Sequence, residues 1–264
     1  MQQNLRIDGI DVIVEGEGER TLVMVHGWPD TYRVWDAQVA SFKAHYRCVR
    51  FTLPGFDSSQ PRRAVGLDEM VGTIAHIVNA VSPNDPVTLL LHDWGALFGY
   101  QFCMRFPERV DRVIGVDIGD TASPQYVTSL DWKAKLGVAG YQLFLALAWK
   151  VGGRLGTGMT RAMAKLLKAP APPEVISADM NFPYYIFWTG AHGSYRGMRP
   201  LEPHCPVLFI YGRRKPFMFH SPQWVQRLND KPGSQALSFD TDHWPMVRQP
   251  QAFNEAVLQW LAKS

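Results

Sequence analysis

The strongest candidate for a chemically active residue in this chain is an aspartate between an apolar segment and a run of small residues. Asp93 lies in the segment LHDWGA, residues 91–96, whose apolar start predicts a buried strand and whose small residues allow a helix to begin close to it. A sharp turn between such a strand and helix lifts one side chain above the sheet. A carboxylate there can attack a saturated carbon, and the resulting ester can be hydrolysed at its carbonyl, which regenerates the aspartate. The alternative role for Asp93 is capping of the following helix.

A histidine late in the chain is the candidate for the base that this chemistry needs. His243 lies in the segment DTDHWP, residues 240–245, between the last predicted strand and the last predicted helix. The order of nucleophile, acid and late histidine is typical of one hydrolase architecture built on a sheet. A lone histidine in a loop is usually a simple polar loop residue, but its combination with Asp93 favours a catalytic pair.

A third segment supplies candidate backbone donors for a developing oxyanion. The segment HGWPD, residues 26–30, follows the first long apolar strand, and its turn can aim the Trp28 N–H at the same point as the Trp94 N–H. His26 and His92 have no partner at metal-ligand spacing, so no metal site is predicted. Nothing in the sequence suggests an organic cofactor.

The elements that must position these residues alternate along the chain. Predicted strands cover 5–7, 11–15, 21–25, 47–52, 87–91, 112–118, 207–211 and 236–239, and predicted helices cover 31–42, 67–81, 96–106, 222–228 and 251–263. Strands that alternate with helices predict an α/β fold with a mostly parallel sheet and helices on both faces. Functional sites in such sheets form beyond the carboxyl ends of the strands, where Asp93 and His243 are expected.

One region breaks this alternation and predicts an insertion. Residues 121–203 show helical patterns without a convincing strand, so we interpret them as a helical cap between the sixth and seventh strands. Residues 1–120 and 204–264 would then form the core domain. The apolar stretch 136–149 is too short to cross a bilayer, which leaves a buried helix or a lipophilic lid, and no integral membrane segment is expected.

Composition limits the classes of partner and the compartment. The formal net charge of +3 over 264 residues offers no basic stripe for nucleic acid. Cys48, Cys103 and Cys205 are expected to be buried free thiols, and the amino terminus shows no secretory pattern, so a cytoplasmic protein is expected. An aromatic share of 12%, with nine Trp, favours an apolar pocket and a small apolar substrate.

The segments HGWP, HDWGA and DHWP, in this order, resemble the α/β-hydrolase superfamily, specifically its epoxide hydrolase and haloalkane dehalogenase branches. The segment PGFDSS, residues 54–59, resembles the family's loop after the next strand. The resemblance implies that Asp93 is the nucleophile and His243 the base. It also implies that Trp28 and Trp94 bind the oxyanion or the leaving group, with no cofactor.

The acid of the triad departs from the usual family pattern. Most members place it in a G-x-x-D-P turn after the seventh strand, but the turn here is GRRKP, residues 212–216, and Lys215 cannot accept a hydrogen bond from the imidazole. A subgroup takes the acid from the end of the sixth strand, where this chain has Asp117, with Asp120 as the substitute. The alternative is that Asp117 only begins the loop into the cap.

The leaving group depends on the cap, and the resemblance leaves alternatives open. The segments YQLF, residues 141–144, and SYR, residues 194–196, resemble the cap segments that supply the epoxide hydrolase tyrosines, so Tyr141 and Tyr195 are the expected proton donors. Tyr184 and Tyr185 are rivals for either role. The aliphatic Leu91, two residues before Asp93, resembles the residue that the dehalogenases have at this position. The Trp94 indole N–H could hold a halide.

The favoured hypothesis is therefore hydrolysis of an epoxide to a vicinal diol through an ester on Asp93. One alternative is dehalogenation of a haloalkane or haloacid by the same nucleophile and base. An alternative of another class is a degenerate hydrolase that binds a lipophilic ligand without turnover, which is motivated by Lys215.

Overall fold

Eight strands form one sheet in the order β1-β2-β4-β3-β5-β6-β7-β8 in the computed structural model, which describes residues 2–263. The strands are β1 Gln2–Ile7, β2 Ile10–Glu15, β3 Thr21–Val25, β4 Arg47–Phe51, β5 Val87–His92, β6 Val110–Val116, β7 Val207–Gly212 and β8 Gln235–Phe239. The pairs β1–β2 and β2–β4 are antiparallel, and all other pairs are parallel. The carboxyl ends of β3, β5, β6, β7 and β8 therefore meet at one edge, as predicted.

The central strands are apolar throughout because both faces of the sheet are covered. Leu89 and Leu91 of β5 lie in one core cluster, and Leu90 lies in the other, since successive side chains of a strand point to opposite faces. All six residues of β5 are buried. A strand that is buried on both of its faces is apolar at every position, so its sequence alone predicts it.

Residues 2–263 contain ten α-helices. They are α1 Asp36–Phe42, α2 Leu67–Val81, α3 Trp94–Arg105, α4 Pro124–Ser129, α5 Trp132–Val151, α6 Gly153–Leu166, α7 Phe182–Thr189, α8 Pro222–Asp230, α9 Pro245–Arg248 and α10 Pro250–Ala262. The helix predicted over 31–42 is instead a 3₁₀ turn, Tyr32–Trp35, followed by α1. The helix predicted to start at Ala96 begins two residues earlier, directly after Asp93.

The sixth strand ends earlier than predicted, and this matters for the site. β6 stops at Val116, which pairs with His92 of β5, and Asp117 then leaves the strand with a φ of 67°. A positive φ at a residue with a side chain is strained and is common at functional sites. Asp117 consequently belongs to the edge of the sheet where Asp93 lies.

Helices α4 to α7 lie between β6 and β7, and no strand interrupts them among the described residues. The predicted fold, an α/β-hydrolase arrangement with helices inserted after the sixth strand, is confirmed. We keep the boundaries 121 and 203 of this cap as a proposal. No helix within residues 2–263 has the length and apolarity to span a membrane.

The apolar stretch 136–149 lies in α5, and a fully buried helix is the wrong interpretation of it. Leu145 is buried, but Leu136 is 66% exposed and Leu147 is 52% exposed. One face of α5 packs on the cap, because α5 contacts α6 and α7, while the opposite face is apolar and open.

Candidate active site

Asp93 occupies the sharp turn between β5 and α3. Its backbone has φ 52° and ψ −126°, a conformation that costs roughly 1–3 kcal/mol and lifts the side chain off the sheet. The turn is tight enough to need glycine nearby. A Cβ on Gly27 would lie 2.4 Å from Asp93 Oδ1, and a Cβ on Gly95 would lie 2.2 Å from the His26 carbonyl oxygen. The small residues around the turn are therefore required by the close approach of two loops.

The two carboxylate oxygens of Asp93 have different partners. The Trp28 backbone N–H donates to Oδ1 at 2.6 Å, and His243 Nε2 lies 3.3 Å from Oδ2. Asp93 makes no side-chain capping hydrogen bond to α3, so helix capping does not explain this residue. One oxygen is held by backbone N–H groups while the other faces the imidazole.

His243 is placed by the loop after β8 and is held by a second carboxylate. Its Nδ1 is in a short hydrogen bond with Asp117 Oδ2, while its Nε2 faces Asp93. The imidazole thus bridges two acids that are 24 positions apart in sequence and lie after the adjacent strands β5 and β6.

Asp117 is completely buried and has three partners. The Gly212 backbone N–H donates to Oδ1 at 2.9 Å, and the Lys215 ammonium donates to the same oxygen. Burial acts to raise the pKa of Asp117, but the positive charges of Lys215 and His243 hold it well below the usual range. A fully ionised Asp117 is therefore fixed against His243.

Lys215 has a role that the sequence reasoning missed. It lies in the turn after β7, where the usual family pattern led us to expect the acid, and its side chain is only 6% exposed and paired with Asp117. The signal was available, because β6 and β7 are neighbours and a lysine in this turn faces the end of β6. The lysine balances the acid.

The pKa values of Asp93 and His243 are shifted by one another. Burial acts to lower the pKa of His243, but the charge and hydrogen bond of Asp117, together with Asp93, raise it from 6.5 to about 9. Burial acts to raise the pKa of Asp93, but the hydrogen bond and charge of His243, with smaller contributions from His92 and the Trp94 N–H, lower it. The resting pair is therefore carboxylate and imidazolium at neutral pH.

Asp120 has different partners from those of Asp117. It accepts hydrogen bonds from the Ser221 N–H and hydroxyl, both at 2.7 Å, and from the Ser123 hydroxyl at 2.7 Å. These bonds fasten the loop after β6 to the start of α8. The structure thus brings Asp117, and not Asp120, to the imidazole.

The layer beneath the pair consists of buried groups that orient the His243 loop. The Trp244 indole donates to Asp30 Oδ2 at 2.8 Å, and His92 Nε2 lies 3.0 Å from the His243 carbonyl oxygen. Burial raises the pKa of Asp30 to about 7 and lowers the pKa of His92 to about 3. His26 Nε2 accepts from the Leu53 N–H at 2.9 Å, which gives this histidine a structural contact.

Two cavities meet at Asp93. The larger one, about 720 Å³, is lined by Asp93, His243, Tyr141 and Tyr184, and the smaller one, about 320 Å³, is lined by Asp93, Trp94, Tyr141, Tyr184 and Tyr195 among others. The smaller cavity is lined mostly by aromatic and aliphatic side chains, which suits an apolar ligand, whereas the larger one also contains charged residues such as Arg214, Asp240 and Arg248.

The four candidate tyrosines occupy different positions. The rings of Tyr141 and Tyr184 lie 6.0 Å apart and line both cavities. The Tyr195 hydroxyl donates to the Pro183 carbonyl oxygen at 3.2 Å, and Tyr185 stacks on Trp149 at 4.3 Å. Burial raises the pKa of Tyr141 and of Tyr184 well above 10, so both phenols stay protonated.

The Trp28 indole is held by a cap residue that the sequence reasoning also missed. Its N–H donates to Asn181 Oδ1 at 2.7 Å, and the Asn181 amide donates to Thr160 Oγ1 at 2.7 Å. Both cap residues are fully buried. The Trp28 indole N–H is therefore already paired, which leaves the Trp94 indole as the candidate halide donor of the two.

A group of possible metal ligands lies elsewhere in the molecule. Cys103, His204 and Cys205 bring their donor atoms within 4.8 Å of one another, and none of them lines either cavity. All three cysteines are buried and free, as expected.

Comparison with known proteins identifies the family of the chain. Residues 22–256 match the family model described as "Alpha/beta hydrolase family". The chain is 29% identical over 267 residues to the pimeloyl-[acyl-carrier protein] methyl ester esterase of Pectobacterium carotovorum, which covers 92% of this chain and 95% of that protein. It is 31% identical over 107 residues to Epoxide hydrolase 1 of Caenorhabditis elegans, covering 39% of this chain and 26% of that protein.

A solved structure shows the same fold. The crystal structure of the Bacillus megaterium epoxide hydrolase in complex with an inhibitor superposes with a TM-score of 0.72 at 19% identity, over 98% of this chain and 100% of that one. Because the family model covers most of the chain and the fold agrees with it, this chain belongs to the alpha/beta hydrolase family.

Proposed function

We propose that the protein hydrolyses an epoxide to a vicinal diol through an alkyl ester on Asp93. The observation that carries the proposal is the Asp93 carboxylate, with Oδ1 held by the Trp28 N–H, Oδ2 beside His243, and both in a cavity that Tyr141 and Tyr184 also line. A carboxylate at this turn suits attack at saturated carbon, because its ester can be hydrolysed afterwards.

In the first step Asp93 Oδ2 attacks a ring carbon of the epoxide. The carbon–oxygen bond of the ring breaks, and the leaving oxygen takes a proton from Tyr141 or Tyr184, giving a hydroxyalkyl ester and a tyrosinate. Oδ1 stays with its backbone donors. The imidazolium of His243 then returns a proton to the tyrosinate and becomes neutral.

Loss of the Asp93 charge prepares the second step. The raised pKa of His243, about 9 in the resting site, depends partly on the ionised Asp93, so esterification lowers it and favours the neutral base. His243 then deprotonates a water that attacks Cγ of the ester. The Trp28 and Trp94 N–H groups stabilise the oxyanion on Oδ1. Collapse breaks the bond between Cγ and Oδ2, and the leaving oxygen takes the second proton of the added water, so the diol is released with the carboxylate and the imidazolium restored.

Tyr184 replaces Tyr195 as the second proton donor in this proposal. Tyr184 lines both cavities beside Asp93, whereas the Tyr195 hydroxyl already donates to Pro183. We expect Tyr184→Phe and Tyr141→Phe each to slow single-turnover alkylation by about 10²-fold, because a positioned acid contributes this much. Tyr195→Phe is the matched control and should stay within about threefold of wild type, since its loss removes one hydrogen bond. A slower Tyr195→Phe variant would restore that residue to the donor role.

Substituting the base tests the covalent intermediate directly. We expect His243→Gln to be alkylated normally and to hydrolyse the ester on the order of 10³-fold more slowly, so that an adduct accumulates. Intact mass after exposure to a panel of epoxides measures the adduct, and peptide mapping locates it on Asp93. The double variant Asp93→Asn/His243→Gln is the control and should remain unmodified.

The same experiment separates the competing functions. An adduct from haloalkanes or haloacids, but not from epoxides, would indicate a dehalogenase, in which the Trp94 indole would hold the halide because the Trp28 indole is paired with Asn181. The likeness to a methyl ester esterase makes ester hydrolysis a second candidate, and methyl ester turnover that survives Asp93→Asn would favour it. No adduct and no turnover would favour a ligand-binding protein.

A further inference from the structure

The cap carries an unusual amount of exposed apolar surface. All large apolar side chains that the structure exposes within residues 2–263 lie between positions 127 and 188. They are Val127, Trp132, Leu136, Leu143, Leu147, Val151, Leu155, Leu166, Leu167, Phe187 and Trp188. Scattered exposed apolar residues are normal, but a concentration on one part of a protein marks an interaction site.

On α5 these side chains form one stripe. Trp132, Leu136, Leu143, Leu147 and Val151 recur at spacings of four or seven residues, which places them on one side of the helix. Leu155 and Leu166 of α6 are 11 residues apart and likewise share a side. The two helices contact each other, so the exposed side chains belong to one helical hairpin.

The charge of the same hairpin has a single sign. Residues 132–168 contain seven Lys or Arg and no Asp or Glu, although the whole chain has a formal net charge of only +3. All seven are exposed, and within residues 2–263 none of them forms an ion pair with a carboxylate. They are Lys133, Lys135, Lys150, Arg154, Arg161, Lys165 and Lys168. The small net charge of the chain conceals this local excess.

Both cavities at Asp93 are lined in part by exposed apolar side chains of the cap. The larger cavity includes Leu166 and Leu167, beside Arg214 and Arg248 of the core domain, and the smaller one includes Val127, Phe187 and Trp188. The exposed apolar surface of the cap therefore borders both cavities. A lipophilic compound dissolved in a bilayer would reach the site from this surface.

We propose that the helical hairpin 132–168 docks on the surface of a bilayer that contains anionic phospholipids. Helices that lie in the membrane interface typically combine exposed Leu and Trp side chains with basic residues. Their apolar side chains enter the acyl boundary, and their cations contact lipid phosphates. Two copies of this chain would bring like charges together. Nucleic acid would leave the leucines in water. The proposal does not depend on epoxide hydrolysis, since binding is measured without substrate.

Sedimentation of the full chain with vesicles tests the proposal. The protein should pellet with vesicles of phosphatidylcholine and phosphatidylglycerol but not with phosphatidylcholine alone, and high salt should weaken the binding. Each basic residue near an anionic surface contributes about fivefold to the partition coefficient. Lys150→Glu/Arg154→Glu, which replaces two of them, should therefore reduce this coefficient at least about 25-fold. Leu143→Gln/Leu147→Gln should reduce it at least about 100-fold, because two leucine side chains lose their burial in the acyl boundary.

A charge reversal on the core domain is the matched control. Arg20→Glu/Lys43→Glu makes the same charge change at exposed positions outside the cap and should bind vesicles nearly as wild type does. Circular dichroism and turnover of a water-soluble substrate verify that each variant is folded. The proposal is overturned if wild type stays in the supernatant with anionic vesicles, which would leave an acidic protein as the occupant. It is also overturned if the leucine variant binds like wild type.

Discussion

Asp93→Asn is expected to lower the turnover number by on the order of 10⁵- to 10⁶-fold, because removal of the nucleophile disables the whole catalytic unit. The amide keeps the shape of the side chain and can still face the Trp28 N–H, so the fold should be preserved. Steady-state product formation with an epoxide substrate measures the loss. Turnover within about tenfold of wild type would place the nucleophile elsewhere and exclude the ester on Asp93.

The same variant should change the titration of His243, because the Asp93 carboxylate lies beside the imidazole. The pKa of His243 is raised to about 9, and the hydrogen bond and charge of Asp93 contribute to this rise, so the pKa should fall in Asp93→Asn. Because the folded-state pKa lies above the ordinary 6.5, the stabilisation is fully present below about pH 6.5 and is lost as the pH rises through 9. Imidazole chemical shifts, and melting temperatures across that window, measure both effects.

Asp117→Asn is expected to lower turnover about 10⁴-fold, because an amide no longer selects the tautomer and orientation of the imidazole. Alkylation of Asp93 should be affected less than hydrolysis of the ester, since the base acts in the second step. Rapid mixing followed by intact mass therefore should show the ester accumulating in this variant. Equal rates in wild type and variant would move the acid role away from Asp117.

Asp120→Asn is the matched control for this result. Asp120 is three residues further along and also buried, but it accepts hydrogen bonds from Ser221 and Ser123 instead of His243. Its replacement should lower the melting temperature, whereas turnover per folded molecule should change little. The pH profile distinguishes the two, because only Asp117→Asn removes the carboxylate whose charge holds the pKa of His243 high.

Lys215 forms an ion pair with Asp117, and this contact changes the interpretation of the lysine. From the sequence, a lysine in the turn after β7 weakened the case for catalysis, because the usual family pattern led us to expect the acid there. In the structure it lies against Asp117, and Gly212 in the same turn donates to that carboxylate. An unpaired carboxylate in this buried position would be costly, so a nearby cation is what a relocated acid requires.

Much of the framework was determined by the sequence itself. The continuous apolar strands and the small residues around Asp93 are local signals, since they reflect burial on both sheet faces and close packing at a single turn. The order of Asp93, Asp117 and His243 followed from a shared architecture. Strand ends were less accurate, because the apolar Ile118 extended the predicted strand although the pairing of β6 with β5 stops at Val116.

Tertiary structure alone decided which polar side chains meet. The pairing of Lys215 with Asp117 joins positions 98 residues apart, and that of the Trp28 indole with Asn181 joins positions 153 apart. Tertiary structure also decided the positions of the tyrosines. The sequence does not distinguish Tyr195, whose hydroxyl donates to a carbonyl, from Tyr184, which lines both cavities. Helical periodicity can mark an apolar face, but only packing against neighbouring helices determines whether that face is covered, and on α5 it is open.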